Sequence, residues 1–148
     1  MTTTPQPSIT EIQEAIVAEL SAIADWDLRY QRIIQFGREM PAIDPQYQTE
    51  TNKVQGCQSQ VWMHAELTPE GTMQLYADSD ALIVRGLVAL LLKVYQHQPP
   101  SAVMNEPLTF FDALEMGAHL SMTRKNGLAA MVKQIKQYAF VFQMMQAR

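Results

Sequence analysis

From Leu82 to Val94 the chain is apolar on almost every side, with Leu82, Ile83, Val84, Leu87, Val88, Leu90, Leu91, Leu92 and Val94 interrupted by Arg85 and Gly86. A helix with no polar face must lie in the middle of a core. This one is too short to cross a bilayer, and it carries charge within and at its end, at Lys93. The rest of the chain therefore has to wrap around it. A length of 148 residues suits one domain with a real core. A content of 47% hydrophobic and 18% charged residues is that of a globular protein.

The flanking segments supply the wrapping. Residues 1–7 form a polar tail broken by Pro5 and Pro7 and are expected to be disordered; residues 8–148 are expected to form the single domain. Ile9, Ile12, Ile16, Leu20 and Ile23 recur at helical spacing, with Ser8 or Thr10 as cap. Asp25 opens a second helix with Trp26, Tyr30, Ile33 and Ile34 on its apolar side, and Gly37 is placed to stop it. Pro41 and Pro45 turn the stretch that follows into a loop. Val61–Leu67 and Thr72–Ala77 read as two strands joined by the turn residues Thr68-Pro69-Glu70-Gly71, and a short strand ending near Val54 can pair beside them. Asp78-Ser79-Asp80 reads as the cap of the central helix, and Pro99-Pro100 ends it. Leu108, Phe110, Phe111 and Leu114 suggest a short helix closed by Gly117. Ser121 or Thr123 then opens a last helix with Leu128, Met131, Val132, Ile135 and Ala139 on one side. The fold class read from this order is α+β, a small antiparallel sheet of about three strands with helices packed around it.

The formal charge of −4 and the absence of a Lys/Arg stripe argue against nucleic acid as a partner. The N-terminus lacks the basic start and apolar run of a secretory signal, and no membrane segment is evident. One cysteine in such a chain points to a reducing compartment, the cytoplasm of a bacterium or a plastid stroma.

That cysteine, Cys57, lies in Val54-Gln55-Gly56-Cys57-Gln58-Ser59-Gln60-Val61-Trp62. It has no partner for an internal disulfide and is too little for a structural zinc site or a cluster. It is either a buried inert thiol or a nucleophile that works on another molecule. Gly56 opens backbone conformations closed to other residues, and Gln58, Ser59 and Gln60 favour a turn. The thiol thus falls on a loop between two strand-like pieces, where reactive groups are commonly presented. Lys53 is the nearest cation in sequence, and no His or Arg lies in the loop. The sequence supplies no local activating machinery, which argues against a self-sufficient cysteine hydrolase and for a thiol whose reaction is set up by a partner.

This run resembles the signature loop of the SufE/CsdE family of sulfur-acceptor proteins. The resemblance continues through Asp78-Ser79-Asp80, Ile83-Val84-Arg85-Gly86-Leu87 and Leu120-Ser121-Met122-Thr123-Arg124-Lys125-Asn126-Gly127-Leu128, in order, from about Trp26 to Lys136. It implies a fold like that of the IscU-type scaffolds. It also implies a function: Cys57 accepts sulfur as a persulfide from a cysteine desulfurase, stimulates that enzyme, and passes the sulfur to an iron–sulfur cluster scaffold complex. The protein would need no cofactor of its own, the pyridoxal phosphate belonging to the desulfurase, and would not be an enzyme alone. It is expected as a monomer or weak homodimer.

Within the blocks that carry the resemblance, Gly56, Gln58, Ser59, Gln60, Asp80 and Arg124 are the candidate loop and partner-binding residues. Asp78 and Asp80 read first as helix caps and only second as a docking surface, Arg124 equally as a solvated arginine, and Trp62 as a core anchor rather than an interface residue. Gly86 within a helix suggests close packing on a neighbour. His64, His97 and His119 form no metal pattern, and the ten methionines read as core filler. The alternative function is a single-cysteine thiol enzyme, a hydrolase or peroxidase, for which His64 or His119 must fold against Cys57 as a base. A cluster scaffold and a pure interaction module are further alternatives.

Overall fold

The computed structural model describes residues 7–147, so most of the N-terminal tail lies outside the described residues. Six α-helices and one hairpin follow in the order α1 Ile9–Ser21, α2 Trp26–Glu39, β1 Val61–Leu67, β2 Met73–Ser79, α3 Leu82–Tyr95, α4 Pro100–Asn105, α5 Phe110–Ala113 and α6 Met122–Gln146. Short 3-10 turns at Pro45–Tyr47, Glu50–Asn52 and Met116–Ala118 shape the connections. The architecture is mostly helical α+β with a two-stranded antiparallel sheet.

Three helix starts lie where the capping residues put them. Ser8, Asp25 and Ser121 each accept a backbone N–H from the first turn of α1, α2 and α6. The central segment behaves as its composition demands: Leu87, Val88, Leu90, Leu91 and Val94 of α3 are buried, between α2 on one side and the sheet on the other. Each such side chain removed from water contributes roughly 1.5–3 kcal/mol, before the entropy of ordering it is set against it.

Two glycines let α2 and α3 approach closely. A Cβ on Gly37 would lie 2.8 Å from the Gly86 nitrogen, and one on Gly86 would strike the Ile33 carbonyl. Gly86 thus packs as its position suggests. Gly37, expected as a stop, lies inside α2, which runs on to Glu39. Its role is contact with α3 and not termination.

The hairpin pairs Val61 with Ser79 through Leu67 with Met73. Val61, Met63, Ala65, Met73, Leu75 and Ala77 face the core. Strand alternation sends Trp62 to the opposite, half-exposed face, so it is not the core anchor expected of it. The expected third strand reduces to one bridge, Lys53 with Trp62, and one bond from Val54 N–H to the Val61 carbonyl at 2.8 Å. The other edge is covered without a strand. The Gln96 side chain bonds both backbone groups of Leu75, and His97 and Gln98 bond both backbone groups of Met73. Local chain thus occupies the start of the β1 edge at Val61 and Trp62 and the β2 edge at Met73 and Leu75.

α6 packs on α3 and is tied to the hairpin by the Tyr138 hydroxyl, which donates to the Met63 carbonyl at 3.0 Å. It also packs along α4. Among the described residues no helix is long and apolar enough to cross a membrane.

Candidate functional site around Cys57

The loop that carries Cys57 is fastened at both ends. Before it, Val54 is buried and bonded to Val61. After it, both backbone groups of Gln60 are held. The Gln60 N–H donates to the Asp80 carboxylate at 3.0 Å, and the Gln60 carbonyl accepts from the Ser79 hydroxyl at 2.8 Å and the Asp80 N–H at 3.2 Å. Between these anchors Gly56 turns the chain at φ 94°, in the region that favours glycine, and lies over Ala130 of α6.

This corrects the reading of Asp78-Ser79-Asp80 as a helix cap. Asp78 and Ser79 belong to β2, and the residue capping α3 is Ala81, which makes no side-chain cap bond. The three polar side chains point sideways and tie down other segments. Asp78 is buried, sits 2.8 Å from the Arg85 guanidinium, and accepts the N–H groups of Ile43 and Ser79. Arg85 in turn donates to the Met40 carbonyl at 2.8 Å. A buried carboxylate with a cation and two donors is satisfied, whereas either charge alone would be costly. The network ties the 40–43 segment to the end of β2 and the start of α3.

The Cys57 thiol is half-buried against α6. Its Sγ lies 3.5 Å from the Gly127 carbonyl, to which the S–H can donate. Gly127 has no side chain to intervene; a Cβ there would lie 3.6 Å from the sulfur. A small pocket of about 30 Å³ surrounds the thiol. Gln58 and Ser59 form its loop side, Val84 and Leu87 of α3 one wall, and Thr123, Arg124 and Gly127 of α6 the other. That is room for at least one water-sized group. Burial pushes the thiol pKa up.

Of the residues singled out from sequence, Cys57, Gln58, Ser59 and Arg124 meet at this pocket, and Gln60 and Asp80 bond each other at the loop's base. Gly56 makes the turn. Lys53 does not serve the thiol; it pairs with Glu50 at 2.7 Å. His64 stacks on Tyr47 and His119 on Trp26, each with ring centroids about 4 Å apart, and neither lines the pocket. No carboxylate or imidazole among the described residues lines it either, so the base that a cysteine hydrolase needs is not supplied there. The described residues also contain no cluster of three or more His, Cys, Asp or Glu side chains able to hold a metal. Sequence reading misses Ser79 as a clamp and Gly127 and Thr123 as walls. Their block stands out for Arg124, but nothing local marks Gly127 as the residue that meets a thiol 70 positions earlier.

Comparison with known proteins identifies the family and the fold. The family model described as SufE, Fe-S metabolism associated domain, matches residues 14–139. An uncharacterised SufE-like protein of Rhizobium etli is 38% identical over 132 residues, covering 86% of this chain and 89% of that protein. The fold is shared with a hypothetical protein from Thermus thermophilus whose solution structure superposes with a TM-score of 0.75 at 20% identity, covering 90% of this chain and 96% of that one. With the loop, the lone thiol and the match over most of its length taken together, the chain belongs to the SufE family of Fe-S metabolism associated domains.

Proposed function

We propose that the protein is a persulfide carrier: Cys57 takes sulfur from a pyridoxal-phosphate cysteine desulfurase, stimulates that enzyme by removing its product, and delivers the sulfur to an iron–sulfur cluster scaffold. The observation that carries this reading is the single thiol, held in a pocket with room for about one further heavy atom, in a chain of this family. A carrier needs one thiol, because a second nearby would resolve the persulfide to a disulfide and release its cargo as sulfide.

In the transfer, the Cys57 thiolate attacks the outer sulfur of the donor's persulfide. A new sulfur–sulfur bond forms at Cys57 as the donor's bond breaks, and the donor cysteine leaves as a thiolate. The proton lost by Cys57 goes to solvent or to that leaving thiolate. No oxidant is consumed. At rest the raised pKa keeps Cys57 mostly protonated and unreactive. A donor that docks over Leu82 and Met122, exposed by 53% and 65% at the first turns of α3 and α6, would cover the pocket from both helices that wall it. Arg124, which lines the pocket, is assigned to the persulfide anion or the approaching partner. Gln58 and Ser59 are assigned to hydrogen bonds with the cargo or the partner's backbone.

The test is the rate of alanine release by a cysteine desulfurase with and without the protein. Wild type accelerates it at saturating cysteine; Cys57→Ala does not. Equal stimulation by the Cys57→Ala variant would reduce the protein to an interaction module and overturn the carrier role.

A further inference from the structure

A second concave surface lies between α4–α5 and α6. It is a groove of about 680 Å³, with Met104, Leu108 and Phe111 on one wall and Leu128, Val132 and Phe140 on the other. We propose that it is a docking site for one amphipathic helix of a partner protein, apolar on its inner side and flanked by carboxylates.

Shape and charge argue for that occupant. Along α6 the groove runs from Lys125 to Phe140, roughly 22 Å at 1.5 Å per residue, the length of four helical turns. The α6 side chains that line it recur at three- and four-residue steps, a straight stripe that a second helix can pack against. The apolar surface continues beyond the groove through exposed Val141, Met144 and Met145. Its charged lining is Lys125, Lys133 and Lys136 against Asp112 alone, a positive surplus on a chain of formal charge −4. Among the described residues Lys125 and Lys133 pair with no carboxylate. Lys136 is committed to the wall itself, donating to the Val103 carbonyl at 2.7 Å. The chain's own tail does not suit the groove: Met1-Thr2-Thr3-Thr4-Pro5-Gln6 has no carboxylate and is broken by proline. Leu128 lines both this groove and the thiol pocket, so a helix bound here is held next to Cys57. The proposal stands on the groove alone and does not depend on the chemistry of the thiol.

The probe is a synthetic helical peptide of about 16 residues with leucines at three- and four-residue steps and glutamates flanking them, alongside a twin with lysines for glutamates. It is titrated into the full-length, isotope-labelled protein and followed by amide chemical shifts. The glutamate peptide is expected to move signals of residues 104–112 and 125–140 and to bind at least about tenfold more tightly than its twin. Lys133→Glu and Ala129→Glu, both at exposed positions of α6, each weaken it by about tenfold while leaving the thermal transition in place. Equal binding of the two peptides overturns the proposal, as does no shift up to about 1 mM peptide. So does filling of the groove by dodecanoate where neither peptide binds, which assigns it to small amphipathic acids. Groove shifts that grow with protein concentration alone assign it to a second copy and likewise overturn it.

Discussion

The Asp80 carboxylate holds the backbone N–H of Gln60 at 3.0 Å, three residues after the thiol and across the end of the hairpin. With the Ser79 hydroxyl on the Gln60 carbonyl, it closes the base of the Cys57 loop, while the thiol itself touches α6 through one sulfur–carbonyl contact of 3.5 Å. The loop is therefore firmly fixed at its root and lightly held at its tip.

Asp80→Ala removes a charge-assisted bond to a backbone donor and should cost about 1 kcal/mol of stability. Its larger effect is expected on the loop. Alkylation of Cys57 by iodoacetamide, followed by intact mass, should run several-fold faster than in wild type. Unchanged alkylation would mean that the clamp does not govern access to the thiol.

Burial raises the pKa of Cys57 in the folded chain. The alkylation rate should therefore reach its half-maximum at a higher pH than for an isolated Asn52–Trp62 peptide, whose thiol titrates near its ordinary value of about 8.5. The sign for stability follows. The neutral thiol favours the fold below the unfolded pKa, and this contribution is lost as pH rises through the folded value. A midpoint below that of the peptide would show that a cation at the pocket, Arg124 foremost, outweighs burial.

Gly86→Ala should destabilise the protein by about 3 kcal/mol, since its new methyl meets the backbone carbonyl of Ile33, which cannot turn aside as a flexible side chain would. Gly117→Ala is the control: its Cβ would meet only the Phe111 ring at 3.6 Å and the Lys125 side chain at 3.9 Å, both ordinary contacts, and its cost should stay within about 0.5 kcal/mol. Urea unfolding separates the two. Similar midpoints would contradict the close crossing of α2 and α3.

Arg124 is exposed and lines the thiol pocket. Arg124→Ala should slow sulfur uptake from a desulfurase by about tenfold, with Arg124→Lys between it and wild type. Alkylation by neutral iodoacetamide should be unaltered in both. A parallel fall in alkylation would assign the arginine to holding the loop instead.

Much of the fold is legible in the sequence because it rests on local signals. The all-round apolar run from Leu82 becomes the buried helix, and Ser8, Asp25 and Ser121 cap the helices they precede. The failures share a different cause. Asp78, Ser79 and Asp80 carry the chemistry of a cap, but backbone groups of Ile43 and Gln60, distant in sequence, take their oxygens. Gly37 has the look of a stop, and only the presence of Gly86 across the crossing gives it another role. Trp62 is recoverable: once Val61 and Met63 face inward, the period of a strand sends it outward. At the site, the thiol and its loop are visible as residues, and the wall opposite them, Thr123 to Gly127, only as a shared block without a place. Which helix meets Cys57 is decided by how α6 packs against α3 and α4, and no pattern within the loop encodes that packing.

The central claim is that Cys57 carries sulfur it did not generate. Intact-mass spectrometry after incubation with a desulfurase and cysteine tests it most directly. The account predicts a gain of one sulfur atom on the wild-type chain, removed by dithiothreitol and absent from Cys57→Ser. A wild-type mass that does not change while the desulfurase turns over, or an equal gain on Cys57→Ser, would contradict it.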